Sequence, residues 1–167
     1  MDNQKFVIFG EWIKEPTMHE TNDEISLKEL KEIFRGYSQL ENVQEEEMHI
    51  FIEDEDGEID EVLFKEITKK HGRHRFHCHR CRKIDVQVSF NGREFHREFN
   101  PATTEKKIMH WLKEETGMSK EEMMNHELRI GNLNGEVMRD DLHLGSYITF
   151  PQCHIQLFLT PKERFQG

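Results

Sequence analysis

The residue with the most specific chemistry in this 167-residue chain is Gly167. It closes the stretch Thr160 to Gln166, which follows the apolar run Ile155 to Leu159. Glycine has no Cβ, so a carboxylate on it can enter a tunnel too narrow for any other residue. The expected reactive group is therefore the α-carboxylate of Gly167 itself. A second candidate is Cys78-x-x-Cys81, which has the spacing of two zinc ligands, with His71, His74, His77 and His79 nearby. A closed zinc site needs a second pair, and Cys153, with His154 beside it, lacks that spacing. On a strand His77 and His79 would face one way and Cys78 the other. The preferred reading is therefore no metal and no cofactor, with a strand and a basic linker, and zinc at Cys78 and Cys81 as the weaker alternative.

Other matches fail on single residues. In Asp54 to Asp60, placing Gly57 at the glycine of a calcium loop puts Ile52 and Leu63 at the first and last ligand positions, and both are apolar. His19-Glu20 begins like a metalloprotease helix, but Asp23 stands where the second histidine is required. No nucleophile elbow or phosphate loop occurs. Cys153, at the start of an apolar run, reads as a small buried hydrophobe. No enzyme active site is expected.

Composition narrows the class. Mean hydropathy is −0.84, and no apolar run is long enough to span a membrane. The first residues lack a secretory pattern, and three cysteines is an odd number, so a reducing cytoplasm is expected rather than a disulfide framework. Residues 1–70 hold 20 Asp and Glu against 8 Lys and Arg, whereas residues 71–167 hold 13 against 15. That asymmetry suggests two units, and the acidic one would repel nucleic acid. The expected division is 1–80, 84–160 and a flexible tail, 161–167.

The elements that must position Gly167 are clearest in the second half. Ile84 to Phe90 alternates apolar and polar, Asn91-Gly92 is a hairpin turn, and Phe95 and Phe99 share one face of a returning strand. Thr103 or Thr104 caps a helix carrying Ile108, Trp111 and Leu112, and Gly117 stops it. Leu128 and Ile130 mark a third strand, Asn134-Gly135 a turn, and Ile155, Leu157 and Leu159 the last strand. In the first half Phe6–Phe9, Met48–Ile52 and Arg75–His79 read as strands. Ser26 with Glu29 forms a capping box, ahead of a helix with Leu27, Leu30, Ile33 or Phe34, and Tyr37 on its apolar face. Asp60 caps a second helix through Val62, Leu63 and Ile67. The chain is α+β. Its second unit has β-grasp order, and its first is either a divergent β-grasp or another small α+β fold.

From Leu128 to Ile148 the chain resembles ubiquitin's third strand, its glycine-containing turn and its short helical turn. The resemblance extends over 84–167 and implies a modifier. An ATP-dependent E1-like activating enzyme would adenylate Gly167. An E2-like conjugating enzyme would carry the thioester, a target lysine would receive the acyl group, and a JAMM-type protease would remove it. Lys162, Arg164, Phe165 and Gln166 would be read in the partner's groove, with Phe158 and Arg129 at docking positions. Arg129 is charged where ubiquitin's patch is apolar, the chain ends Gln166-Gly167 rather than Gly-Gly, and the tail is longer than ubiquitin's. Arg80 to Gly92 and Phe99 to Thr104 are similar to bacterial tandem modifiers of antiphage systems, kin to the interferon-induced tandem modifier of vertebrates. The alternatives are a sulfur carrier forming a thiocarboxylate and a β-grasp adaptor that is never conjugated.

Overall fold

The computed structural model describes residues 4–22, 24–38, 40–70 and 72–163. The first unit runs β1 (Gln4–Gly10), β2 (Ile13–Thr21), α1 (Leu27–Ser38), β3 (His49–Ile52), α2 (Glu61–Thr68) and β4 (Arg73–His79). The second runs β5 (Ile84–Phe90), β6 (Arg93–Phe99), α3 (Glu105–Thr116), α4 (Lys120–Met124), β7 (His126–Ile130) and β8 (His154–Pro161). The sheet orders are β2-β1-β4-β3 and β6-β5-β8-β7. In each, the first and last strands lie parallel at the centre, with an antiparallel strand on either side. Two β-grasp units therefore stand in tandem, and the divergent β-grasp reading of the first half holds.

Local signals fix most boundaries. Glu29 N–H donates to Ser26 Oγ (3.1 Å) while Ser26 N–H donates to the Glu29 carboxylate (3.5 Å), which closes the capping box. Leu63 N–H donates to Asp60 Oδ1 at 2.8 Å, and Lys107 N–H to Thr104 Oγ1 at 3.3 Å. Asn91 and Gly92 take φ +48° and +75°, the primed turn that matches the twist of a hairpin. Inside the second unit, Ile84, Val86, Val88, Ile108, Leu112, Leu128 and Leu157 are fully buried in one core. Leu157→Ala should therefore cost about 2–5 kcal/mol in a urea unfolding titration.

Several expectations change. β2 was not expected: its turn, Glu11-Trp12, has no Gly or Asn, although Trp12 sits at φ +67°. The strand carries Pro16 and only Ile13 is buried, as suits a sheet edge. α2 forms, but Phe64 is its buried apolar residue. Val62 and Leu63 stay 68% and 40% exposed, because the Phe64 ring packs against Phe6 and Phe76. α4 was also missed, although Ser119 and Glu122 make a capping box ahead of it. The last strand continues past Leu159, with Thr160 opposite Glu127 and Pro161 opposite His126.

The cysteine reading is corrected. Cys81 and Cys153 form a disulfide, with Cα atoms 5.8 Å apart and a sequence separation of 72. The parallel pairing of β5 with β8 causes this. It sets Asp85 opposite His154, so the residues ahead of each strand meet, and Asp85 N–H donates to Cys153 O at 2.9 Å. Cys81 is therefore not a zinc ligand. Cys78 lies in the first core, where burial pushes its thiol pKa up and suits it poorly to metal binding.

Candidate functional site

Two surfaces matter: the outer face of the second sheet and the junction between the units. On the first, β7 and β8 pair so that Arg129 stands directly opposite Phe158. Both are half-buried. Arg129 donates to Gly135 O and to Glu127, each at 3.0 Å, and its guanidinium lies 3.7 Å from Glu163. Beside Phe158, a depression of about 460 Å³ is walled by Phe90, Leu133 and Pro161. Leu133, 61% exposed at a turn, adds apolar surface that the sequence reading overlooked. Lys162 is exposed, and its N–H donates to Asn125 O at 2.7 Å, so the chain stays fastened to the sheet to that point. Arg164, Phe165, Gln166 and Gly167 lie outside the described residues.

The corresponding face of the first sheet is covered. Phe9, Phe51, His77 and His79 alternate with core residues along β1, β3 and β4, yet none is more than 2% exposed. Segments 101–104 and 142–150 of the second unit bury them. The His143 ring stacks on Phe9 with centroids 3.6 Å apart. Asp54, at φ +58°, accepts from Thr104 N–H and Thr104 Oγ1, each at 2.8 Å, so one unit braces the N-terminus of the other's helix.

The hydrogen bonds fix the histidine protons. Cys81 N–H donates to His79 Nδ1 (2.9 Å), so His79 carries its proton on Nε2 and donates to Ile148 O (2.8 Å). His143 Nε2–H donates to Glu53 (3.1 Å), which leaves its Nδ1 to accept from His77 Nδ1–H at 3.1 Å. His77 Nε2 is then unprotonated and has no hydrogen-bond partner among the described residues. It packs against Gly145, where an added Cβ would meet Nε2 at 2.5 Å and Pro101 Cβ at 2.7 Å. Glu11, between the units, accepts from Arg80 Nε (2.9 Å), Arg80 Nη2 (2.6 Å) and Phe150 N–H (3.0 Å). On the surface Arg139 bridges the units to Glu15 at 2.6 Å. Among the described residues no cluster of three or more His, Cys, Asp or Glu is arranged to hold a metal ion.

Residues 85–162 match a family model described as BilA ubiquitin-like domain 2. The second unit is a ubiquitin-like β-grasp domain. Among solved structures, a protein designed on the basis of ubiquitin is 22% identical over 52% of this chain and 96% of its own, with a TM-score of 0.39. The ubiquitin-like domain of an Arabidopsis thaliana protein is 20% identical over 52% and 85%, also with a TM-score of 0.39. No curated protein matches the chain. The assignment rests on the matched residues and on the strand order.

In this ubiquitin-like domain the two expected docking residues, Phe158 and Arg129, are brought together. Lys162 stands at the strand's exit on the same sheet. The junction residues Glu11, Glu53 and His143 were not singled out from sequence, and Asp54 was named only in the rejected calcium-loop match. Their only signal is that each is a polar residue beside an apolar run, which does not separate a buried group from a solvated one.

The junction should be sensitive to acid. Burial holds the pKa values of His77, His79 and His143 below the ordinary 6.5, and for His77 the two neighbouring histidines lower it further. The unfolded chain therefore takes up protons below about pH 6.5 that the folded chain does not, and stability falls as pH drops. Glu53 acts in the same direction at lower pH. Its bond from His143 outweighs burial and keeps its pKa below the usual 4.5, so its contribution is lost as pH falls through that lowered value. Urea unfolding at pH 8, 6.5 and 5 should give midpoints that fall below pH 6.5. A midpoint independent of pH across that range would remove the neutral histidines from the account.

Proposed function

We propose that the protein is a ubiquitin-like modifier that acts through the carboxylate of Gly167. The activating enzyme joins that carboxylate to the α-phosphate of ATP and releases pyrophosphate. A cysteine thiolate of the enzyme then displaces AMP and gives a thioester. A target lysine amine displaces the thiol, forming an isopeptide bond and giving up a proton. The modifier contributes the acyl group, the segment 162–166 that threads the partner's groove, and a docking face. It contributes no catalytic side chain.

The observation that carries this reading is the handover at the end of β8. The central strand of a ubiquitin-like domain stays hydrogen-bonded to Lys162, and Phe158 and Arg129 flank its exit. Only the second unit offers this arrangement, since the equivalent face of the first is covered. The similarity of 85–162 to BilA supports a role in bacterial antiphage defence. The proposed partners are activating and conjugating enzymes and a JAMM-type deconjugating protease, and the proposed compartment is the cytoplasm.

The test is a pyrophosphate-exchange and thioester assay with candidate activating enzymes. The reading requires ATP-dependent formation of a thioester that reducing agent cleaves. A C-terminus that leaves the assay carrying sulfur in place of oxygen would establish the sulfur carrier. No activation by any enzyme encoded beside the gene would favour the adaptor.

A further inference from the structure

A groove of about 710 Å³ lies between α3, α4 and the start of β7. Its wall is methionine: Met109 on α3, Met123 and Met124 on α4, and Met138 beyond β7. Met124 is 64% exposed. Lys106, Met109, His110 and Lys113 fall at i, i+3, i+4 and i+7 of α3, one stripe along the groove. Lys120, at the start of α4, adds a third charge. Lys5, Lys65, Lys83 and Lys107 all pair with carboxylates, but Lys106, Lys113 and Lys120 form no ion pair among the described residues. Of the groove's other charges, Glu127 is held by Arg129 and Arg139 by Glu15 and Asp141. Glu105 lies near both Asp140 and Lys162, so the three free lysines outnumber the two carboxylates, Glu105 and Asp140, that have no ion pair among the described residues.

We propose that this groove docks an acidic amphipathic helix of a partner protein. Apolar side chains at helical spacing would rest on the methionines, whose unbranched thioethers adapt to irregular shapes, and carboxylates would meet the three lysines. The chain's own Lys162 lines one end of the groove and adds to its positive charge. Nucleic acid is disfavoured by the net charge of −10. The inference does not depend on the carboxylate chemistry of Gly167.

The experiment is a titration of the full chain, labelled at its methionine methyls, with a synthetic Leu/Glu peptide of helical periodicity. The controls are a scrambled peptide of the same composition and a peptide with Lys in place of Glu. Saturable shifts are expected at Met109, Met123 and Met124, with Met18 and Met48 of the first unit unmoved. Lys113→Glu combined with Lys120→Glu should weaken binding about tenfold or more. Met124→Glu, a change at an exposed position, should weaken it without disturbing the fold. Any of three results would overturn the proposal: equal binding of the scrambled peptide, affinity indifferent to the charge reversals, or no saturation at millimolar peptide. Groove methyl shifts that grow with protein concentration alone would replace it with self-association of the chain.

Discussion

Replacing Glu11 by alanine should destabilise the protein by about 3–5 kcal/mol, the usual cost of removing one partner of a buried ion pair. The Glu11 side chain is wholly buried and the Arg80 side chain only 18% exposed. Burial alone would raise the Glu11 pKa. The Arg80 bonds, the nearby His79 and the Phe150 N–H outweigh it, and the group is held ionised with its pKa below 4.5. Glu11→Ala would leave the guanidinium facing an apolar hole and the Phe150 N–H without its acceptor. The loss spreads across both units, since Glu11 is in the β1–β2 turn, Arg80 in the linker and Phe150 ahead of β8. Glu11→Gln keeps the shape and part of the bonding, so it should cost less. Equilibrium urea unfolding provides the measurement. An alanine variant within about 1 kcal/mol of the parent would mean that Glu11 does not hold the units together.

The second unit was legible because its signals are local and mutually consistent. Alternation in Ile84 to Phe90, the Asn91-Gly92 turn, the Thr104 cap and the Gly117 stop each specify one element, and together they allow one order. The first unit was legible as helices and strands but not as a complete sheet. β2 carries almost no apolar alternation, since an edge strand with one solvated face needs little, and its turn is enforced at Trp12 rather than encoded by glycine. The Cys81–Cys153 bond was illegible for a different reason. It follows from the register of two strands some 70 residues apart, which local pattern does not report. The histidines were read correctly as one face of a strand. That the face is buried under the second unit, rather than solvated, is a tertiary fact.

The covered face has a consequence for the functional reading. Two β-grasp sheets in tandem could offer two equivalent docking faces. Here the sheet surface bearing Phe9, Phe51 and His77 is spent on the junction, while Phe158 and Arg129 remain accessible beside the tail. Phe158→Ala should therefore weaken capture by the activating enzyme, and with the carboxylate untouched, saturating enzyme should restore thioester formation.

The account turns on Gly167, and deleting that one residue tests it most directly. The deletion removes the proposed acyl donor and leaves every described contact of the two units in place, so the melting temperature should not move. The measurement is mass spectrometry of adducts formed with ATP, the activating enzyme and the conjugating enzyme. The parent chain should yield Gly167 joined through an isopeptide bond to a lysine ε-amine. The deletion should yield no adduct, adenylate or thioester, and Gly167→Ala should be strongly impaired because a Cβ must enter the channel. Adducts that persist at undiminished yield without Gly167, or are linked through any other residue, would contradict the account.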